Sequence, residues 1–235
     1  MMAQGMPLLI NVVIAIAMAA TAIILHELAH GYVALALGDE TAWRAGRLSL
    51  NPVRHVDRVG TLLLPGILLL TQLATVGRVL FMFGWAKPVP VDPTHFRYPR
   101  QGMALVALAG PMMNFSLAFI AAHAFRFPDH LTPYAAQLVV EFMTLNIVLG
   151  LFNLIPMPPL DGGRVAVGLL PLRLAVLWAG LERYGIMLVL LLIAVPPLLG
   201  QAGVHTDPLG SVLNPALSWM TNSILWLAGV RDADA

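Results

Sequence analysis

The stretch LHELAHGY, residues 25–32, places three ionisable side chains near the end of an apolar run that begins at about residue 7. The run is otherwise built of Leu, Ile, Val and Ala, which suits a helix that crosses a bilayer. Ionisable side chains are costly inside a membrane and by default indicate a functional site there. His26, Glu27 and His30 therefore mark the point from which both the architecture and the chemistry of the chain can be inferred.

The composition is that of a membrane protein. Of 235 residues, 59% are hydrophobic and only 11% are charged, whereas about 25% are charged in a soluble domain. The net charge of +1 leaves no basic surface for nucleic acid, so we expect no nucleic-acid partner. The lack of cysteine excludes disulfides and thiolate metal sites. The first apolar run lacks the basic start of a signal peptide and is too long for one, so we expect it to be retained.

Six long apolar runs divide the chain, and a spanning helix needs about 20 such residues. A weaker run at 165–181 is interrupted by Pro171 and Arg173, so we place it at the membrane interface. No repeat or separate polar domain is visible, which favours a single domain over residues 1–235. The six runs cover about 7–37, 60–83, 101–127, 134–155, 184–200 and 209–229.

Basic residues predict the arrangement of these runs, because cytoplasmic loops are enriched in Lys and Arg. If all six runs span, the basic connections fall on both sides of the membrane. If the run 60–83 re-enters as a hairpin, all of the 13 basic residues except Arg78 and Arg126 share the side of the C-terminal tail with Arg231. Pro65 and Gly77 also suit a broken segment, which is tolerated at depth where protein or water satisfies the backbone.

We therefore predict an all-α polytopic membrane protein with about five to six transmembrane helices and a re-entrant hairpin or short β element after the first helix. The N-terminus is expected outside and the C-terminus in the cytoplasm. Six full spans are the alternative.

The chemistry is predicted by the H-E-x-x-H pattern of His26, Glu27 and His30. On a helix, positions i and i+4 differ by about 40° and about 6 Å, so both imidazoles can reach one ion from one face. Neutral imidazole nitrogen suits zinc, which predicts one Zn²⁺ per chain. Glu27 lies about 100° around the helix from His26, where it can take a proton from water beside the metal. The pattern also occurs by chance in soluble helices, but its place in an apolar run favours a metal site.

A catalytic zinc site has three protein ligands and one open position, so a third ligand is needed. Asp161 follows prolines that cannot continue a helix, so it lies on an unwound segment at the inner end of the run 134–155. With the hairpin, that end and the end of the first helix lie at the same face, whereas six full spans separate them. Charge and ligand geometry thus favour the same topology. The candidates for the third ligand are His55, Asp57, His123, Glu141 and Asp161.

Five motifs, in family order over about residues 24–165, resemble the site-2 protease family of intramembrane zinc metalloproteases. H-E-x-x-H alone is weak, but its combination with LDGG and GWAKPVPV is specific to the compact branch, which has no appended PDZ or CBS domain. The motifs are HELAH at 26–30, GRLSLNP at 46–52, FGWAKPVPVDP at 83–93, ALAGPMMNF at 107–115 and NLIPMPPLDGGR at 153–164.

The resemblance implies that His26, His30 and Asp161 bind zinc and that Glu27 is the catalytic base. It also implies hydrolysis of peptide bonds in transmembrane segments, near the cytoplasmic face of a bacterial or archaeal cell membrane. The catalytic core then covers about 7–165 and the C-terminal helices about 166–229. The expected partners are a transmembrane-helix substrate and the lipid bilayer, with the oligomeric state left open.

Three asparagines are candidates for substrate or oxyanion contacts. Asn153 matches the family's asparagine in the N-x-x-P-x-P-x-L-D-G element, and its alternative is an ordinary amide that satisfies the broken backbone. Both readings of Asn153 have equal weight. Asn114 is a weaker candidate, because packing or capping between helices explains it better, and Asn146 is similar to it. The alternative functions are a polytopic zinc or divalent-metal transporter, which should carry ligands at several depths, and an inactive member of the same fold.

A substrate helix must unwind locally, because its carbonyls are bonded within the helix. The predicted hairpin followed by KPVPV, 87–91, offers an extended edge that can pair with an unwound peptide by strand addition. Pro88 and Pro90 count against this pairing, because each removes a backbone donor.

Overall fold

The first apolar run forms one helix, α1, from Leu8 to Ala36 in the computed structural model, which describes residues 8–201, 203–204 and 206–230. Its 29 residues exceed the roughly 20 needed to cross a bilayer. The helix is followed by Gly38, whose φ of +100° is a conformation that glycine adopts freely. The start of the run at residue 7 and the basic tail residue Arg231 lie outside the described residues.

The described part of the chain contains nine α-helices and no β-strand, which confirms the predicted all-α class. A π-helical turn, Arg58–Leu63, leads into α3, and short 3₁₀ turns occur in the connections. The nine helices are α1 Leu8–Ala36, α2 Thr41–Arg44, α3 Leu64–Thr75, α4 Pro99–Ala122, α5 Pro133–Asn153, α6 Asp161–Leu169, α7 Leu172–Ala179, α8 Gly185–Gln201 and α9 Pro208–Leu227.

Helix α4 lies between α1 and α5 and runs antiparallel to both. The Tyr134 hydroxyl at the start of α5 lies 3.2 Å from the Asn11 side chain near the start of α1, so these two helices are parallel. Phe96, just before α4, packs with Ala34 near the end of α1. The C-terminal ends of α1 and α5 therefore lie at the same side, as the hairpin topology requires.

Helix α3 and the chain after it fold back on each other. The Gln72 side chain near the end of α3 bonds to the backbone of Phe81, and the N–H of Trp85 donates to the carbonyl of Gly60 near its start. The chain thus returns along the helix and enters α4 on the side where α1 ended. The chain between α3 and α4 is extended but forms no strand within the described residues, because it bonds to side chains and to the backbone of helical turns. Entry of this unit into the bilayer stays a prediction.

Five segments of the described chain are long and apolar enough to cross a membrane, by length and composition. The predicted run 209–229 forms α9, which is not among them, because Asn, Ser and Thr residues interrupt its apolar sequence. The weak run 165–181 is predicted to lie at the membrane interface. From Leu172 onward it continues through a 3₁₀ turn into α8 and forms part of a segment long and apolar enough to span. The five are Leu9–Ala36, Arg58–Thr75, Pro99–Arg126, Pro133–Asn153 and Leu172–Gln201.

Helix α9 closes the far end of the bundle. Its Ile224 is buried against α4 and α5 in a cluster that includes Ala118, Ala122 and Ile147. The alanines allow close approach of the helices because their side chains are short. This packing leaves the opposite end of α4 and α5 for the candidate site.

Candidate metal centre

Three ligand atoms converge between α1 and α6. The Nε2 atoms of His26 and His30, one turn apart on α1, lie 3.0 Å from each other. Oδ2 of Asp161, the first residue of α6, lies 3.1 Å from Nε2 of His26 and 3.3 Å from Nε2 of His30. The three residues are only 6%, 8% and 7% exposed. The structure thus brings together the three residues that the sequence analysis selected as metal ligands.

The second nitrogen of each imidazole is held by a hydrogen bond from behind. Nδ1 of His30 lies 2.7 Å from the carbonyl oxygen of Val106, and Nδ1 of His26 lies 2.6 Å from Oδ1 of Asn114. These oxygens accept hydrogen bonds, so each Nδ1 carries the proton and donates it. Each Nε2 then directs a lone pair towards the Asp161 carboxylate.

This donor set fits a divalent cation. Three electron-pair donors within 3.3 Å of one another repel unless a positive charge lies between them. Two ligands of a tetrahedral zinc at about 2.0–2.1 Å are about 3.3–3.4 Å apart, which is close to the observed spacing. Two imidazoles and one carboxylate with a fourth position free also match the ligand set of catalytic zinc sites. The residues therefore fit a zinc ion.

Asp161 reaches the histidines because α6 begins immediately against the preceding loop. A Cβ atom at Gly162 would collide with the carbonyl oxygen of Leu154, so glycine is needed for this approach. The N–H of Leu154 still bonds to the end of α5. The LDGG element thus places the carboxylate at the end of a tightly folded connection.

Helix α4 passes directly against the ligand atoms at Gly110. A Cβ atom there would lie 2.5 Å from Nε2 of both His26 and His30. Only a residue without a side chain leaves these atoms free to converge. We did not predict this requirement, although Gly110 lies in the quoted motif ALAGPMMNF.

Glu27 lies beside the ligand group and does not belong to it. Its Oε2 accepts the backbone N–H of Val89 at 2.9 Å, from the extended chain that returns from α3. Helix geometry predicts the flanking position of Glu27, whereas this contact depends on the tertiary fold. The contact links the catalytic-base candidate of α1 to a segment about 60 residues later.

The three asparagines occupy different environments. Asn114 and Asn146 are fully buried, and Nδ2 of Asn114 donates to Oδ1 of Asn146 at 3.0 Å. Asn153, at the end of α5, donates to the carbonyl of Leu149 on its own helix. Asn114 thus bonds to the nitrogen of His26 that faces away from the ligand group, and Asn146 in turn bonds to Asn114.

The other candidates for the third ligand lie elsewhere, since the one metal-binding group of the described residues contains none of them. His55 bonds to the carbonyl of Ser49, and Asp57 accepts backbone N–H groups at the start of the π-helical turn. His123 bonds to a carbonyl of its own helix, and Glu141 accepts from Gln137.

Comparison with known proteins is consistent with these findings. The model of Peptidase family M50 matches residues 129–194. The protein named "Putative zinc metalloprotease YwhC" from Bacillus subtilis is 38% identical over 215 residues, which cover 86% of this chain and 85% of that protein. No solved structure matches the chain significantly.

Two further relatives carry related names. "Putative zinc metalloprotease Rip2" from Mycolicibacterium smegmatis is 28% identical over 74% of this chain and 64% of its own length. "Zinc metalloprotease MJ0392" from Methanocaldococcus jannaschii is 34% identical over 70 residues, 29% of this chain and 20% of that protein. The similarity to YwhC extends over most of both chains and carries the greatest weight.

Proposed function

This chain belongs to peptidase family M50, the site-2 proteases, and we propose that it is a zinc metalloprotease that hydrolyses peptide bonds within transmembrane segments of other membrane proteins. Membership of the family confirms the resemblance inferred from the motifs, and the five apolar helices agree with a multi-pass integral membrane protein. The observation that carries the proposal is the convergence of His26, His30 and Asp161 within 3.3 Å.

The arrangement of side chains supports the following catalytic roles. His26, His30 and Asp161 hold the metal, and Glu27 takes the proton of the attacking water and later delivers it to the leaving amine. Zinc bound there supplies Lewis-acid polarisation of the scissile carbonyl and acidifies water. Asn153 is retained as the candidate for an oxyanion contact, because it lies at the end of α5 without being enclosed like Asn114 and Asn146.

We place the site near the cytoplasmic face of the membrane. The metal ligands lie towards the C-terminal end of α1, and the chain that follows α1 carries Arg44, Arg47, Arg54 and Arg58. Such basic segments mark the cytoplasmic side. Cleavage there releases the cytoplasmic part of a substrate.

The substrate peptide is expected to bind along the extended chain. Trp85 and Lys87 donate their backbone N–H groups to the carbonyls of Gly60 and His55, which precede α3 in the chain. Neighbouring residues of an extended chain point the opposite way, and the backbone groups of Met82, Gly84 and Ala86 have no partner within the described residues. We propose that an unwound substrate adds to this edge as a strand. Pro88 lacks an N–H and ends the edge.

Gln72→Ala should weaken substrate binding. The side-chain oxygen of the buried Gln72 accepts the N–H groups of Leu80 and Phe81, which hold the beginning of the extended chain against α3. If the binding free energy falls by the contribution of about one hydrogen bond, KM rises about fivefold, and bound zinc stays unchanged. Steady-state kinetics measure this effect. The control is Thr75→Ala, since that exposed hydroxyl bonds only within α3; an equal KM in both variants would exclude pairing along this edge.

Asn114→Ala should lower zinc affinity by roughly 10- to 100-fold, the range for loss of an outer partner of a metal-binding histidine. The Asn114 oxygen holds Nδ1 of His26 and so directs its Nε2 to the metal. Competition titration with a chelator measures the affinity. Asn114→Asp keeps an acceptor for His26 and should restore most of it.

Ser116→Ala is the control on the same helix, because its exposed hydroxyl bonds only to Met112. Zinc affinity equal to that of wild type in Asn114→Ala would show that Asn114 only fills space.

The proposed function is tested with the purified protein in liposomes and a single-span substrate whose transmembrane segment contains Gly and Pro, which lower the cost of unwinding. We expect cleavage that stops when a chelator removes zinc and returns when zinc is added. Zinc uptake into the liposomes without any cleavage would instead indicate a transporter. Stoichiometric zinc without cleavage or transport would indicate an inactive member of the fold.

A further inference from the structure

The extended chain that contacts Glu27 is held on both sides of that contact. Val89 donates its N–H to Glu27. Lys87 and Pro88 before it, and Asp92 after it, bond to side chains of the connection that follows α1. The side chains that make these bonds belong neither to the metal ligands nor to the catalytic base. They are Arg47 and Asp39, both buried.

Asp39 anchors the chain after Val89. It is fully buried just beyond α1, and its Oδ2 accepts the N–H of Asp92 at 2.8 Å. Its Oδ1 accepts Nδ1–H of His95 at 2.9 Å and the N–H of Thr41 at 3.0 Å. Burial alone would raise the pKa of Asp39, but the donors from Thr41, Asp92 and His95 lower it to about 2. Asp39 is therefore an ionised, multiply bonded anchor at neutral pH.

Arg47 anchors the chain before Val89. Its Nη2 lies 2.7 Å from the carbonyl oxygen of Lys87 and 3.3 Å from that of Pro88. The side chain is only 8% exposed. A planar guanidinium holds carbonyl oxygens in a defined direction better than an ammonium group does. The backbone of Val89 is thus fixed between a cationic and an anionic anchor.

We propose that Asp39 and Arg47 are positioning residues that act through the Val89 amide: they hold its N–H against Oε2 of Glu27, so that the other carboxylate oxygen stays directed for proton transfer. The inference rests on the proposed role of Glu27 as the base. The conformation of the chain 87–92 would then set the direction of the Glu27 carboxylate through this one backbone contact. The segment 87–92 follows the proposed substrate edge, which ends at Pro88, so the two roles fall on successive parts of one extended chain.

The direct test removes the N–H itself. Val89→Pro deletes the donor in a segment already flanked by Pro88 and Pro90, and Val89→Ala keeps the donor while shortening the side chain. We expect Val89→Pro to lower kcat roughly tenfold, the factor for one hydrogen bond to a charged group, with KM and zinc content close to those of Val89→Ala. Equal kcat in both variants would overturn the proposal.

The two anchors, Asp39 and Arg47, are tested by measuring kcat and KM separately in their variants. Asp39→Ala and Arg47→Ala should lower kcat with little change in KM, opposite to Gln72→Ala, and Asp39→Asn should recover part of the loss because it keeps one acceptor oxygen. Hydrogen–deuterium exchange of the peptide 87–92 should be faster in both alanine variants. Unchanged exchange and kcat would overturn the proposal.

The outcomes for the two proposals differ. If the wild type cleaves substrate with zinc and Glu27→Gln does not, the proposed function stands whatever the anchors show. If Glu27→Gln cleaves as well as the wild type, the role of Glu27 fails and the inference fails with it.

Discussion

Replacing Glu27 by Gln should lower kcat for substrate cleavage by roughly 10²- to 10⁴-fold, the range that a general base contributes, while one zinc ion per chain remains bound. Gln has nearly the same shape as Glu, and its side-chain oxygen can still accept the N–H of Val89. It cannot accept a proton from water at neutral pH. The substitution therefore removes the group that accepts the proton and keeps the hydrogen bond to Val89.

The measurement combines initial rates with metal analysis of the same preparation. Retained zinc with lost cleavage fits a base that is not a ligand. Loss of zinc together with cleavage would show that Glu27 supports metal binding, and unchanged cleavage would exclude it as the base. Zinc transport that survives the substitution would favour the transporter.

Asp161→Ala should abolish cleavage by removing zinc. The variant leaves two imidazoles, one short of the three ligands of a catalytic zinc site. The loss of affinity should exceed the roughly 10- to 100-fold range for an outer hydrogen-bond partner, because a direct ligand is removed. Equilibrium dialysis against buffered zinc measures it.

The matched control is Glu141→Ala, which removes an exposed carboxylate that had been a candidate for the third ligand. We expect its zinc content and activity to stay near those of the wild type. Gly110→Ala provides a further comparison, because it keeps all three ligands but places a methyl group against both Nε2 atoms. Full zinc occupancy in Asp161→Ala would contradict the ligand assignment.

Much of the metal centre could be predicted because it depends on local helix geometry. The pitch of an α-helix places His26 and His30 on one face regardless of the rest of the fold. Asp161 lies 135 residues from His26, and its approach was predicted from the distribution of basic residues, which implied that α1 and α5 are parallel, and from the resemblance to the site-2 protease family. The short β element was wrong for the described residues, because the chain after α3 pairs with side chains and helix backbone.

The amino-acid sequence by itself determined the helical membrane class, the paired imidazoles and the carboxylate beside them, because composition and helical period act over neighbouring residues. Only the tertiary structure decided that Asn114 stands behind His26, that Gly110 makes room for the ligand atoms and that Val89 holds Glu27. These contacts join helices and loops far apart in the chain. They depend on how α4 and the extended chain pack against α1, and no short-range pattern encodes that packing.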